Sequence, residues 1–320
     1  MPESATVPEP AKVPPGAEEA PAPLSPWRRA LRQLVHDRAA LVSTALIALL
    51  VIMAVAAPLL VKLEGQDPYT YHIGLLNQAN GSGPKGILGG MSGAHWFGVE
   101  PLTGRDMFAL VVYGAQTSLL VGLASTAVSI IIGAVVGTAA AFFGGWLDAV
   151  IGRTADVFLA FPGMIFMIAL GIVVPQAFPR WLLLVIVIGF FGWPGFARII
   201  RGQALSLVRR EFVDAARTLG AGPGHIIFRE LMPNLMAPII VFSAISIPQR
   251  IGTEAALSFL GVGVPAPTPD WGRTISDATD WVQTDLMYLL FPGGALFLAV
   301  LAFTVLGDSL RDALDPRTRR

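Results

Sequence analysis

The chain has no cysteine, which excludes structural disulfides and thiolate metal sites, though not any particular compartment. Charge is scarce as well: Asp, Glu, Lys and Arg make up 14% of the residues, and 22 basic residues balance 22 acidic ones. There is no basic stripe interleaved with aromatics, so a nucleic-acid partner is not expected. The four histidines (His36, His72, His95 and His225) are scattered, and none has the spacing of a metal pair. They read as surface or packing residues. No phosphate-binding loop occurs. Residues 81–86 read GSGPKG, without the spacing or the Lys-Ser/Thr ending of one. A nucleophile elbow, a zinc-protease helix and paired carboxylates within an apolar run are also missing. These absences point to a chain that is not an enzyme, holds no cofactor of its own and does not hydrolyse ATP by itself.

Long apolar runs are abundant. Hydrophobic residues form 54% of the chain and the mean hydropathy is +0.64, well above soluble usage. A membrane span needs about 20 mainly apolar residues. Six segments qualify: residues 39–61, 118–143, 157–174, 181–200, 235–257 and 287–306. The third is interrupted by Pro162 and Gly163, which membrane helices tolerate better than soluble ones. The expected fold class is an all-α membrane protein with six transmembrane helices. An even number of spans puts both termini on one side. Placing them in the cytoplasm puts fifteen arginines inside, among them Arg28, Arg29, Arg32, Arg153, Arg198, Arg201, Arg210, Arg217 and Arg311. Only Lys62, Lys85, Arg105, Arg180 and Arg273 remain outside. The positive-inside rule favours that orientation.

Residues 1–26 are rich in Pro, Ala and Glu and read as a disordered cytoplasmic tail. They lack the basic start and oily core of a cleaved signal peptide. Residues 27–61 follow as an interfacial segment, headed by Trp27, and the first span. Residues 62–107 form a long extracytoplasmic segment rich in Gly and Pro, 108–310 a transmembrane domain, and 311–320 a cytoplasmic tail. A loop as long as 62–107 either has a function or is disordered.

Within the transmembrane domain, the loop at 205–233 carries more pattern than orientation requires. Glu211 to Asn234 reads EFVDAARTLGAGPGHIIFRELMPN: a short amphipathic helix, a glycine break, a second amphipathic turn and a proline opening the next span. Phe212, Ala216 and Leu219 fall on one helical face, continued backwards by Leu205 and Val208. Asp214, Arg217 and Arg210 lie off that face. Ala215, Ala216, Gly220, Ala221 and Gly222 are small enough for another protein surface to approach the backbone.

Asp214-Ala215-Ala216, with Gly220 four residues after Ala216 and Pro233 thirteen after Gly220, resembles the EAA loop of ABC-importer permeases. Asp214 stands where Glu is usual, Glu230 where Ile or His is usual, and Met232 where Leu is usual. Three further stretches resemble the C-type permeases of dipeptide and oligopeptide importers, a branch that also handles nickel. The first runs from Phe97-Gly98-Val99 through Gly104-Arg105-Asp106 to Thr117-Ser118-Leu119, with Glu100 in place of Asp and Gln116 in place of Arg. The second runs from Glu254 to Val264 (EAALSFLGVGV) and is followed by Asp270-Trp271-Gly272. The third runs from Gly307 to Arg317 (GDSLRDALDPR). Taken alone, Gly104-Arg105-Asp106 reads as a turn and helix cap with solvated charges. The matches cover most of the chain from about Trp96 to Arg320.

The resemblance implies a permease subunit of a bacterial inner-membrane ABC importer with a cytoplasmic coupling helix. It implies a second, related permease as partner in a heterodimer, two ATPase subunits that bind ATP and magnesium, and an extracytoplasmic solute-binding protein that delivers peptides. By carry-over, Asp214, Ala215, Ala216, Arg217, Gly220, Glu230 and Pro233 form the ATPase-coupling loop. Nickel, glutathione or another small solute is the alternative cargo. An ion-coupled secondary transporter would show repeats and broken helices with midplane ion ligands, and a scaffold would show no transport.

Arg250 and Glu254 fall towards the outer end of the fifth span, one helical turn apart, where they can face each other and partly cancel. Charges at membrane depth usually face a bundle interior or a water-filled path. They are therefore read either as lining the substrate path or as an interfacial ion pair that seats the helix.

Overall fold

The computed structural model describes residues 26–78, 81–175 and 177–314. The expected disordered tail, the side chains of Trp27, Arg28 and Arg29, and Arg317 at the end of the last motif lie outside the described residues. Eleven helices carry the fold among them. They are α1 (Pro26–His36), α2 (Arg38–Val55), α3 (Ala57–Glu64), α4 (Met107–Phe143), α5 (Gly145–Ala160), α6 (Gly163–Val173), α7 (Arg180–Leu207), α8 (Glu211–Thr218), α9 (Pro223–Phe259), α10 (Trp271–Ala278) and α11 (Leu286–Leu314). The only strands among these residues form a two-residue antiparallel ladder, β1 (Leu76–Asn77) with β2 (Gly83–Pro84).

Five helices (α2, α4, α7, α9 and α11) are long and apolar enough to cross a membrane. The expected third span differs from the observed chain. Residues 157–174 do not form one rod: α5 and α6 meet at a break bent by 78° and reach span length only as a pair. Pro162 is the cause. It lacks an N–H to continue the ladder and disfavours helical geometry at the residue before it, and Phe161 is extended at φ −78°, ψ 136°. The first span also divides, at Ala56. Pro58 has no N–H to offer the carbonyl four residues back, and Gln116 of α4 donates to that carbonyl, Ala54 O, at 2.6 Å.

At 37 residues and about 1.5 Å per residue, α4 is roughly 55 Å long and joins the two ends of the bundle. It packs along α7 through Gly133 and Gly137, four residues apart. A Cβ on Gly137 would lie 2.4 Å from Ala197 O, and one on Gly133 would lie 2.4 Å from the Phe196 side chain. In lipid, where apolar transfer does not drive helices together, such close backbone approach is a principal source of association. The hydroxyl of Ser129 on the same face donates to Gly189 O of α7 at 2.8 Å.

One end of the bundle is made by residues 62–78 and 81–106 together with α10. Among these residues Leu76, Val99 and Asp106 are buried against the bundle rather than loose. Trp271, at the start of α10, is fully buried, and its indole N–H donates to Val111 O at 2.8 Å. The other end carries α8.

Candidate coupling helix and intramembrane charges

The α8 knob is built by caps at both ends. Arg210 is extended and its carbonyl accepts from Val213 N at 2.9 Å, while Glu211 and Asp214 complement the positive end of the helix. At the far end Gly220 has φ +82°, and Ala221 N donates to Ala216 O at 3.0 Å, closing a Schellman turn. No neighbour lies within 4 Å of a Cβ placed on Gly220. Its requirement in this chain is therefore the left-handed backbone, not the close approach of another residue.

Burial reorders the expected apolar stripe. Val213, which the stripe omits, is fully buried against Ile200, Ala204, Ile226, Leu231 and Leu235. Phe212, Ala216 and Val208 pack on the edge of that cluster, while Leu205 is exposed. Leu219 is 88% exposed. The reason is local: α8 ends at Thr218, so Leu219 belongs to the turn and leaves the helical register. Asp214, Ala215, Arg217 and Thr218 also face outward. Asp214 and Arg217 form an exposed pair at 3.2 Å, and the Arg217 guanidinium lies 5.5 Å from the Phe142 ring centre.

Beyond the glycine turn, residues Ile226–Leu231 wind as a π-helical turn at the foot of α9. Met232 N reaches back five residues to Ile227 O, and Pro233 follows at once with no N–H to give. Glu230 lies 3.8 Å from His225, and its carbonyl accepts from the Asn234 side chain at 2.7 Å. Seen together, Asp214, Ala215, Arg217 and Gly220 share one exposed cap. Glu230 and Pro233 belong to the hinge beneath it.

Arg250 and Glu254 do not pair, contrary to the spacing argument. Arg250 reaches towards α7, where Gly192 lacks the Cβ that would block it, and donates a long 3.4 Å bond to Ile188 O. Its Nε is buried without a partner. Glu254 is fully enclosed: Oε1 accepts from Ser258 Oγ at 2.9 Å, and that hydroxyl lies 3.2 Å from Asp270 Oδ2. Side chains one turn apart share a face in projection, but α7 and α10 draw these two in different directions.

At the end opposite α8, the Gly104-Arg105-Asp106 turn does cap a helix, since Asp106 Oδ1 accepts from Ala109 N at 2.7 Å. Its charges are not solvated. Asp106 is fully buried. Arg105 binds both oxygens of Glu100, at 2.5 and 3.1 Å, and donates to Pro267 O at 3.1 Å. Among the described residues no three His, Cys, Asp or Glu side chains converge on a metal position.

Comparison with known proteins places this architecture. Residues 129–320 match the family model for the binding-protein-dependent transport system inner membrane component. Residues 25–80 match the N-terminal transmembrane domain of oligopeptide transport permease C. The chain belongs to this permease family. Relatives of the permease extend over nearly its whole length. The dipeptide transport system permease protein DppC of Alkalihalophilus pseudofirmus is 36% identical over 312 residues, 98% of this chain and 96% of the relative. The glutathione transport system permease protein GsiD of Pectobacterium atrosepticum is 35% identical over 295 residues, 92% of each. The oligopeptide transport system permease protein OppC of Bacillus subtilis is 35% identical over 297 residues, 93% of this chain and 92% of the relative. The permease is thus a multi-pass membrane subunit of an ABC importer and not itself an enzyme.

Proposed function

We propose that the permease translocates di- or oligopeptides delivered by an extracytoplasmic binding protein. It does so as one half of a heterodimer with a second permease, driven by two partner ATPases that hold ATP and magnesium. The observation that carries this reading is the similarity, over more than nine-tenths of the chain, to relatives named for dipeptide and oligopeptide transport. The charge asymmetry supports placing the α8 end and both termini in the cytoplasm. There α8 docks on an ATPase through Asp214, Ala215, Arg217, Leu219 and Gly220, and nucleotide-driven closure is passed through Val213 into α7 and α9. Alternating access then follows from two discrete helix arrangements rather than a continuous deformation.

Arg250 is the cation we place beside the substrate path: its half-buried guanidinium has only a long bond to Ile188 O, so it keeps donor capacity for a peptide carbonyl or carboxylate once the helices rearrange. Glu254 is sealed in this conformation and serves the α9–α10 junction instead. Glutathione is the second reading, favoured by the GsiD relative, and is itself a small peptide.

Uptake in a strain deleted for this gene tests the proposal, with labelled di- and oligopeptides, glutathione and nickel supplied in parallel. Loss of peptide uptake, restored by the intact gene but not by Asp214→Lys, is the expected result. Loss confined to nickel or glutathione would replace the cargo, and full restoration by Asp214→Lys would remove the docking assignment. Arg250→Gln with normal assembly and unchanged uptake would take Arg250 off the path.

A further inference from the structure

At the end of the bundle opposite α8, three separate pieces of chain meet through ionisable groups. Glu64 closes α3, His95 lies in the loop before α4, and Asp106 caps α4. The Asp106 carboxylate is fully buried and its Oδ2 lies 2.8 Å from His95 Nδ1. Glu64 Oε1 accepts from the main-chain N–H of Trp96 at 2.7 Å, while Oε2 is buried with no partner. Glu64 and Asp106 thus hold neighbouring residues of one loop, Trp96 and His95, which brings the two carboxyls side by side. His72 stacks edge-on against the His95 ring, 5.0 Å between centres, and its Nε2 is also buried and unpartnered.

The charges around this cluster do not neutralise it. Arg105, adjacent in sequence, is taken by Glu100, and Lys85 by Gly74 O. Asp67 faces His72 and adds negative charge. Among the described residues no lysine or arginine forms an ion pair with Glu64 or Asp106. Two neighbouring carboxyls, beside one imidazole and no fixed cation, have room for a shared proton but not for two negative charges.

We propose that Glu64 and Asp106 hold a proton between them and form a pH-operated latch, clamping residues 92–97 and the end of α3 onto the start of α4. The direction of titration agrees with this geometry. Burial raises Glu64 to about 7 and Asp106 to about 6, and burial lowers His95. With the proton in place, Glu64 carries no charge, accepts the Trp96 amide and donates to Asp106. When the last proton leaves, the carboxylates repel, Glu64 turns out to water and the Trp96 N–H loses its acceptor. The 92–97 loop is then free of α4. In the orientation given under Proposed function the latch faces the medium, whose pH varies, although the latch chemistry does not rest on the cargo.

The absence of native cysteine makes the test clean, because a single introduced cysteine carries the only label. Gly93 is exposed, at an ordinary backbone angle, with nothing within 4 Å of a Cβ. A spin label at Gly93→Cys, in the full chain reconstituted in nanodiscs, should pass from mainly immobile to mainly mobile as pH rises through about 7. Glu64→Gln mimics the protonated state and should keep the label immobile throughout. Asp106→Asn retains a capping side chain and should remove the same transition. A second reading is the infrared band of a protonated carboxyl group, present in the parent below the transition and reduced in Glu64→Gln. A flat parent titration, or an unchanged midpoint in Glu64→Gln, would overturn the latch. So would a carboxyl band unaffected by either substitution.

Discussion

Truncating Leu219 to alanine should weaken ATPase binding without disturbing the membrane domain. The side chain is 88% exposed and adds nothing to the permease's own core, since α8 is anchored by Val213 on its other side. If the exposed cap enters a partner groove, the three carbons lost are worth about 0.8 kcal/mol each, roughly 2.4 kcal/mol together. At 1.4 kcal/mol per decade that is about 50-fold in affinity. The assay is the dissociation constant of purified ATPase for the permease complex in mild detergent, measured beside peptide uptake. Val213→Ala is the matched comparison. It removes two buried carbons and should loosen α8 from α7 and α9 at a cost of about 2 kcal/mol, lowering thermal stability as well as coupling. Leu219→Ala should leave the melting temperature unchanged. An unaltered dissociation constant for Leu219→Ala would show that the ATPase meets a different face of the knob.

Three other outcomes follow from the same structure. Gly220→Asn should retain more uptake than Gly220→Val, because the site demands a left-handed backbone worth about 1–2 kcal/mol to a β-substituted residue and offers open space around it; equal loss in both would mean that contact, not conformation, selects glycine. Gly114→Val should lower the melting temperature strongly, since even a Cβ at residue 114 would lie 2.7 Å from the Trp271 ring and 3.4 Å from its backbone; a wild-type melting curve would refute that packing. For pH, Glu64 and Asp106 have raised values in the folded chain, so their stabilising share is complete below about pH 4 and is lost as pH rises through about 6 and 7. Melting temperature in parent and Glu64→Gln should diverge across that window, and parallel curves would deny the linkage.

The comparison between expectation and structure divides along a physical line. Hydropathy located the apolar runs because each span must satisfy its own backbone and meet lipid, and both demands are written locally. It placed α4, α7, α9 and α11 within a few turns of their observed positions. The glycine break at Gly220 and the cap at Asp106 were equally readable, since each depends on one or two residues. The Gly133-x-x-x-Gly137 spacing on α4 was a legible signal for the helix it meets, though not for which helix that would be.

What the linear pattern could not contain is direction in space. Arg250 and Glu254 share a face by spacing, yet one fits the gap at Gly192 of α7 and the other closes against Ser258, itself in contact with Asp270. Leu219 keeps helical spacing from Phe212, yet the chain has already turned. Glu64, His95 and Asp106 are up to 42 positions apart and reveal nothing singly. From its residues alone the chain specified an apolar all-helical membrane domain and a capped amphipathic knob, because short-range hydrogen bonding and transfer to lipid act residue by residue. Which charges are buried, which are paired and which surface remains open was decided only when distant helices packed, because burial and pairing are properties of neighbours that the chain brings together from far apart.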